Sequence, residues 1–231
     1  MTRRRQILDL IAATTTPGSK SRRLCDVSAE ITEMSGAGIM MMSNDTPSGS
    51  LCTSNEVSDL IEQLQYTLGE GPCVDAYQHE RPVLEPNLAD PRVPRWPAFS
   101  GPALGAGARA VFGFPIRVGA ARLGALNIYR DRQGPLTDGQ HADALVMADI
   151  VAGAVLTLQA DSPGSGLATE LEASAEFNYG VHQAAGMIAV QLDCSVGTAL
   201  VRLRGFAFGE DVPLVDVARA VVDRRIRFDS Q

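Results

Sequence analysis

The run QADSPGSGLATE, residues 159–170, separates two stretches of this chain whose apolar residues recur with different periods. Pro163 removes a backbone donor, and Gly164 and Gly166 are poor helix formers, so a helix arriving from either side stops here. At 231 residues the chain is long enough for two domains of ordinary size. We read 1–21 as a leader, 22–158 as a first domain, 159–168 as the linker and 169–228 as a second domain.

The first domain mixes strands and helices. AGIMMMS (37–43) reads as a buried strand, NDTPSG as a polar turn and SLCTS (50–54) as a second strand. In 58–69, Leu60, Ile61, Leu64 and Leu68 recur at helical spacing, and Gly69 stops the helix. RPVLEPNLADPRVPRWPAF is loop-like with one short strand. ARAVFGFPIRVG and ARLGALNIYR form a hairpin turning at Gly119-Ala120. A long helix begins at Thr137, with Gln140 placed for a capping box. The class is α+β, an antiparallel sheet with helices at its ends.

The second domain is helical throughout. Phe177, Val181, Ala184, Ile188 and Leu192 step by three and four residues. Ser195 caps a second helix with Val196, Ala199, Leu200, Leu203 and Ala207 on one face. Pro213 opens a third, whose stripe is Leu214, Val217, Ala218, Val221, Val222 and Ile226. Three such stripes bury one another in a three-helix bundle.

The formal charge of −7 excludes general electrostatic attraction to nucleic acid and leaves only a local cluster. That cluster is in the second domain: residues 199–227 hold six arginines against Glu210, Asp211, Asp216 and Asp223. The N-terminal RRRQILDLIAA is basic then apolar, but Asp9 interrupts it, so a frayed leader helix is expected. No run approaches the roughly 20 apolar residues of a membrane span, and a cytoplasmic location is expected. Cys25, Cys52, Cys73 and Cys194 lie far apart without CxxC spacing, which points to free thiols and to no metal site.

LGEGPCVDA (68–76) has no Lys-Ser/Thr after its glycines, and Glu70 repels anions, so it is not a phosphate loop. Cys73 stands at a helix start, which lowers a thiol pKa; catalysis there needs a base, and His79 is the local histidine. Redox sensing by Cys73 or Cys52 is a further reading. Trp96 and Phe99 read as a pocket lid or as a satellite apolar cluster.

In the order GAGIMMM, LIEQLQYTLGEGPCVDAYQHERPVLEPNLAD, RWPAF and ARAVFGFPIRVGAARLGALNIYR, residues 22–158 resemble the GAF sensor domains of actinobacterial regulators. The resemblance implies about six antiparallel strands flanked by helices, with a small-molecule pocket over one sheet face. The signature of cyclic-nucleotide-binding members is not visible. Cys73, Trp96 and Phe99 are the candidate ligand residues, and no cofactor is implied.

Residues 165–228 resemble the ANTAR domain, an RNA-binding module of bacterial transcription antiterminators. The matching positions are Gln183, Ala184, Gly186, Ser195, Ala199, Leu203, Arg204, Ala207, Leu214, Asp216, Val217 and Ala218. The chain departs from the family at Ala185, where a lysine is common, and at Asn178 and Tyr179, near which a basic residue often stands. The resemblance implies a homodimer binding paired RNA hairpins in leader transcripts, controlled by a small-molecule signal and without a membrane. Ala184, Gly186, Ser195, Arg204, Arg219 and Arg224 are the candidate RNA-binding residues. A helix-interior glycine is up to about 1 kcal/mol worse than alanine, so Gly186 points to a close approach by a neighbouring helix or by a ligand backbone. Segment 145–182 is expected to couple the halves. The rival readings are a methionine sulfoxide reductase of GAF type using Cys52 and Cys73, and a protein-binding partner switch.

Overall fold

Alternation of side chains along the strands decides which helices cover which face of the first unit. The computed structural model describes residues 2–13, 20–43, 46–90, 95–160, 180–210 and 212–228. The chain separates into two units, Met1–Leu171 and Glu172–Gln231. In the first, α1 (Arg3–Ala12) and α2 (Lys20–Thr32) precede β1 (Gly36–Ser43) and β2 (Thr46–Thr53). Then come α3 (Glu56–Leu68), α4 (Pro72–His79), β3 (Val83–Glu85), α5 (Pro97–Gly105), β4 (Ala110–Val118), β5 (Ala121–Arg130) and α6 (Asp138–Ala160).

The strands form one antiparallel sheet in the order β2-β1-β5-β4-β3. Five strands are described, one fewer than the resemblance implied. The expected polar turn after β1 is shorter than NDTPSG, because Thr46, Pro47 and Gly49 already pair with β1. Two register shifts interrupt the ladder between β1 and the edge strand β2.

Ala37, Ile39, Phe112, Phe114, Leu126 and Ile128 point to one face and pack against α2 and α6 in the main apolar core. α3 and α4 cover the opposite face. Asn55 starts α3 with a capping box shared with Ser58, and Gly69 ends it in the left-handed conformation. Thr137 and Gln140 exchange the two hydrogen bonds of the expected capping box at α6. That helix runs through Gln159 and Ala160, into the predicted linker; 161–168 lie outside the described residues.

Two expectations are corrected here. The leader is not frayed: α1 buries Ile7 completely in the core, and Arg3 pairs with Asp143 of α6 at 2.6 Å while Arg4 pairs with Asp149. The cysteines are not all free: Cys25 of α2 and Cys52 of β2 form a disulfide, leaving Cys73 and Cys194 as thiols. The pairing has no local spacing signature because helix and strand lie 27 residues apart in sequence.

In the second unit α7 is described over Gly180–Leu192, followed by α8 (Val196–Gly209) and α9 (Leu214–Val222). Val181, Ala184, Ala185 and Ile188 of α7 are buried, as are Ala199, Leu200, Leu203 and Ala207 of α8 and Leu214, Val217, Ala218 and Val221 of α9. Phe177, Asn178 and Tyr179 lie outside the described residues. Val196, assigned to the core stripe, is exposed because it is the first residue of its helix. No single helix among the described residues is long and apolar enough to cross a membrane. The pair α7 and α8, apolar enough together, is bent by 105°.

Candidate functional site

The face of the sheet under α3 and α4 is floored by missing side chains. Asn127 on β5 is paired across the ladders with Gly38 on one side and Gly113 on the other. Glu62 of α3 uses the gap at Gly38: a Cβ there would lie 2.7 Å from its Cγ and Oε1. Gly71, at φ 135°, makes the same allowance for Gln65 and starts α4. Asn127, Glu62, Gln65 and Cys73 thus gather at one place, all of them buried.

The hydrogen bonds in this nest are unevenly shared. The Cys73 backbone N–H donates to Gln65 Oε1 at 2.7 Å, and the thiol lies 4.0 Å from Glu62 Oε1 and from the Ala125 carbonyl. Glu62 Oε2, Gln65 Nε2 and both polar atoms of Asn127 are left without a hydrogen bond of strict geometry among the described residues, the looser Asn127–Glu62 and Gln65–Cys73 contacts being what they have. Buried polar groups are rarely left so. Burial disfavours the Glu62 carboxylate and moves its pKa from the ordinary 4.5 to about 8, with a loose side-chain hydrogen bond from Asn127 pulling it down and the charge of Asp59 pushing it up. Burial, with the Glu62 charge second, pushes the Cys73 thiol well above its ordinary range. Cys73 is therefore a buried neutral thiol, and its place in the first turn of α4 does not activate it.

Trp96 and Phe99 pack edge to face at 5.8 Å, both buried at the start of α5. Trp96 Nε1 donates to Asp75 Oδ2 at 3.1 Å, which ties this pair to the helix carrying Cys73. Glu70 Oε1 accepts from the Ala98 and Phe99 N–H groups, capping α5 from a distance. His79 is exposed, and His141 rests edge-on against Phe114. Among the described residues no group of three or more His, Cys, Asp or Glu is placed to hold a metal.

Cys52 and Cys73 do not meet. Cys52 is bonded to Cys25 on the α2–α6 side of the sheet, whereas Cys73 lies on the α3–α4 side. The two-thiol chemistry of the reductase reading has no geometric support.

In the second unit the predicted RNA residues separate into buried and exposed sets. Ala184 is fully buried and Arg204 is only 8% exposed, so neither is presented outward as an isolated surface group. Ser195 Oγ accepts from the Thr198 N–H at 3.1 Å and serves as the α8 cap. Arg219 is exposed and pairs with Asp216; exposed Arg224 stands just past α9 at φ 59°. Arg202 and Arg224 have no ion-pair partner among the described residues. A Cβ on Gly186 would meet nothing within 4 Å among the described residues, so none of the described helices approaches it closely. His182 was missed by the sequence reading; partial burial and then the charge of Arg204 hold its pKa below the ordinary value.

The GAF domain family profile matches residues 15–155. No curated protein matches the chain in sequence. Among solved structures, the GAF domain of a phosphoenolpyruvate-protein phosphotransferase from Coxiella burnetii superposes with TM-score 0.52 at 16% identity, over 68% of this chain and 92% of that one. The corresponding domain from Acinetobacter gives 0.51 at 13%, over 68% and 92%. A domain of a putative two-component sensor histidine kinase protein from Sinorhizobium meliloti 1021 gives 0.50 at 16%, over 61% and 90%. At these identities the superpositions speak for the fold alone. With a profile spanning more than half its length and the sheet order described above, this chain belongs to the GAF domain family.

Proposed function

We propose that the chain is a non-enzymatic regulator in which the GAF unit senses a small molecule and controls RNA binding by the second unit. In this reading the second unit is an ANTAR-type bundle. It binds paired hairpins of leader transcripts as a homodimer and favours transcription through a terminator. Gly186 is the observation that carries the reading. It weakens the interior of α7, yet nothing among the described residues occupies the space its missing side chain leaves. An outside backbone explains the glycine where a neighbouring helix does not. Arg202 and Arg224 supply exposed guanidinium groups for phosphate and base edges. Arg204 is buried, and its charge reaches His182 of α7.

The test follows from that geometry. Gly186→Leu places a side chain in open space, so the helical circular-dichroism signal and the melting transition remain. Affinity of the purified full chain for a tandem stem-loop falls at least about tenfold in a mobility-shift assay. Arg202→Glu with Arg224→Glu weakens binding and flattens its salt dependence. Failure of the wild-type protein to bind any tandem stem-loop at low ionic strength overturns the reading. Unchanged affinity in Gly186→Leu removes α7 from the interface.

A further inference from the structure

The outer face of α8 offers water little to bind. Thr198, Val201, Gly205 and Phe208 follow one another at steps of three and four residues, so they share one side of the helix, and all four are exposed. Val201 is 64% and Phe208 63% exposed, at positions where a solvated helix carries charged or amide side chains. Phe206, two residues earlier, meets the Phe228 ring edge to face at 5.4 Å. Phe208 has no ring partner among the described residues. Gly205 leaves the row open in its middle: it weakens the helix interior, and a Cβ there would meet nothing within 4 Å among the described residues. A helical side chain covers the turn before its own Cα, which for Phe208 is the turn of Gly205.

The charge of the helix narrows the partner. α8 carries Arg202 and Arg204 and no acidic side chain, in a chain whose formal charge is −7. Arg202 follows Val201 at the edge of the apolar row, is exposed, and has no ion-pair partner among the described residues. A second copy of this helix would bring further arginines and no carboxylate to meet them. An unpaired nucleotide brings both complements at once, a flat π face for an aromatic ring and a phosphate for a guanidinium.

We propose that the outer face of α8 is a nucleotide seat, in which one unpaired base of an RNA loop stacks on Phe208 over Gly205 while Arg202 holds a neighbouring phosphate. The inference rests on the RNA-binding reading for its biological meaning and adds to it the residue that takes a base. Two probes keep the two apart: a tandem stem-loop with 2-aminopurine in place of its loop adenines, and a short single-stranded oligoadenylate. The full wild-type chain should quench the 2-aminopurine fluorescence on binding. Phe208→Leu keeps an apolar side chain and loses the π face, so its affinity for both probes should fall at least about tenfold with the salt dependence unchanged. Phe208→Tyr should keep wild-type affinity. Arg202→Gln should instead lower the slope of the salt dependence by about one. Position 208 is exposed, so the circular-dichroism signal and melting transition of its variants should match wild type.

Equal affinity of Phe208→Leu and wild type for the stem-loop overturns the seat and leaves the RNA-binding reading standing. A loss in Phe208→Tyr as large as that in Phe208→Leu overturns stacking as its chemistry. Oligoadenylate binding that depends on Phe208, with no binding of any tandem stem-loop, keeps the seat and sinks the hairpin reading; binding of neither probe overturns both. A Phe208→Leu chain that sediments as a monomer where wild type is a dimer assigns the face to a second copy and overturns the proposal.

Discussion

The two faces of the one sheet are built on opposite plans. Towards α2 and α6 the strands offer Phe112, Phe114, Ile39, Leu126 and Ile128, side chains with no hydrogen bonds to satisfy. Towards α3 and α4 the same strands offer Gly38, Gly113, Ala125 and Asn127, and the helices answer with a carboxyl, a carboxamide and a thiol. Alternation lets neighbouring residues serve unlike ends: one face holds the domain together, while the other carries polar groups that weaken it. A polar interior that weakens the fold is tolerated where function uses it.

The largest effect expected of this contrast is its pH dependence. Glu62 keeps its proton in the folded state up to about pH 8, whereas in the unfolded chain it loses it near the ordinary 4.5. Between those values the unfolded state binds fewer protons, so stability falls as pH rises, by up to about 1.4 kcal/mol per unit from this group. The loss is complete above pH 8. Glu62→Gln should flatten that slope in urea titrations run across the window; an unchanged slope would mean that the carboxyl is not held neutral.

On the apolar face, Phe112→Ala removes a fully buried ring and should lower stability by about 3–5 kcal/mol, read from the denaturation midpoint. Gly38→Ala tests the close approach on the polar face. Its methyl meets Glu62, and the resulting shift should destabilise the protein by about 1–3 kcal/mol. Adding Glu62→Ala should recover part of that loss, a non-additivity expected only if the two groups touch. The smallest effect is Asn127→Leu. Exchanging this loosely hydrogen-bonded amide for an apolar group of similar size should move stability by less than about 1 kcal/mol, in either direction. A loss as large as that of Phe112→Ala would erase the distinction between the faces.

Much of the apolar face was legible in the sequence because period-two and period-3.6 patterns report burial against one partner. β1, the β4–β5 hairpin, the Gly69 stop and the Thr137–Gln140 cap were all read from such local signals. The polar face was not. Glu62 and Gln65 lie among Leu60, Ile61 and Leu64, where a charged or amide side chain reads as the wet side of an amphipathic helix. Asn127 in ALNIY reads likewise as the solvent side of a strand. Their burial depends on α3 lying over Gly38 of β1 and α4 over Gly113 of β4, contacts that no local pattern encodes. Cys73 was found, but for a reactivity that burial denies it. In the second unit the cap at Ser195 and the α9 stripe were legible, whereas the burial of Arg204 depends on how the helices meet.

The Cys25–Cys52 bond joins the edge strand β2 to the helix layer on the side of the sheet away from Asn127. A preparation kept in dithiothreitol and one purified in air are therefore two covalent species with the same mass to within two hydrogens. The edge strand of the reduced species is no longer tethered to α2. Any affinity measured for a small molecule or a hairpin belongs to one of the two, and thiol counting under denaturing conditions says which.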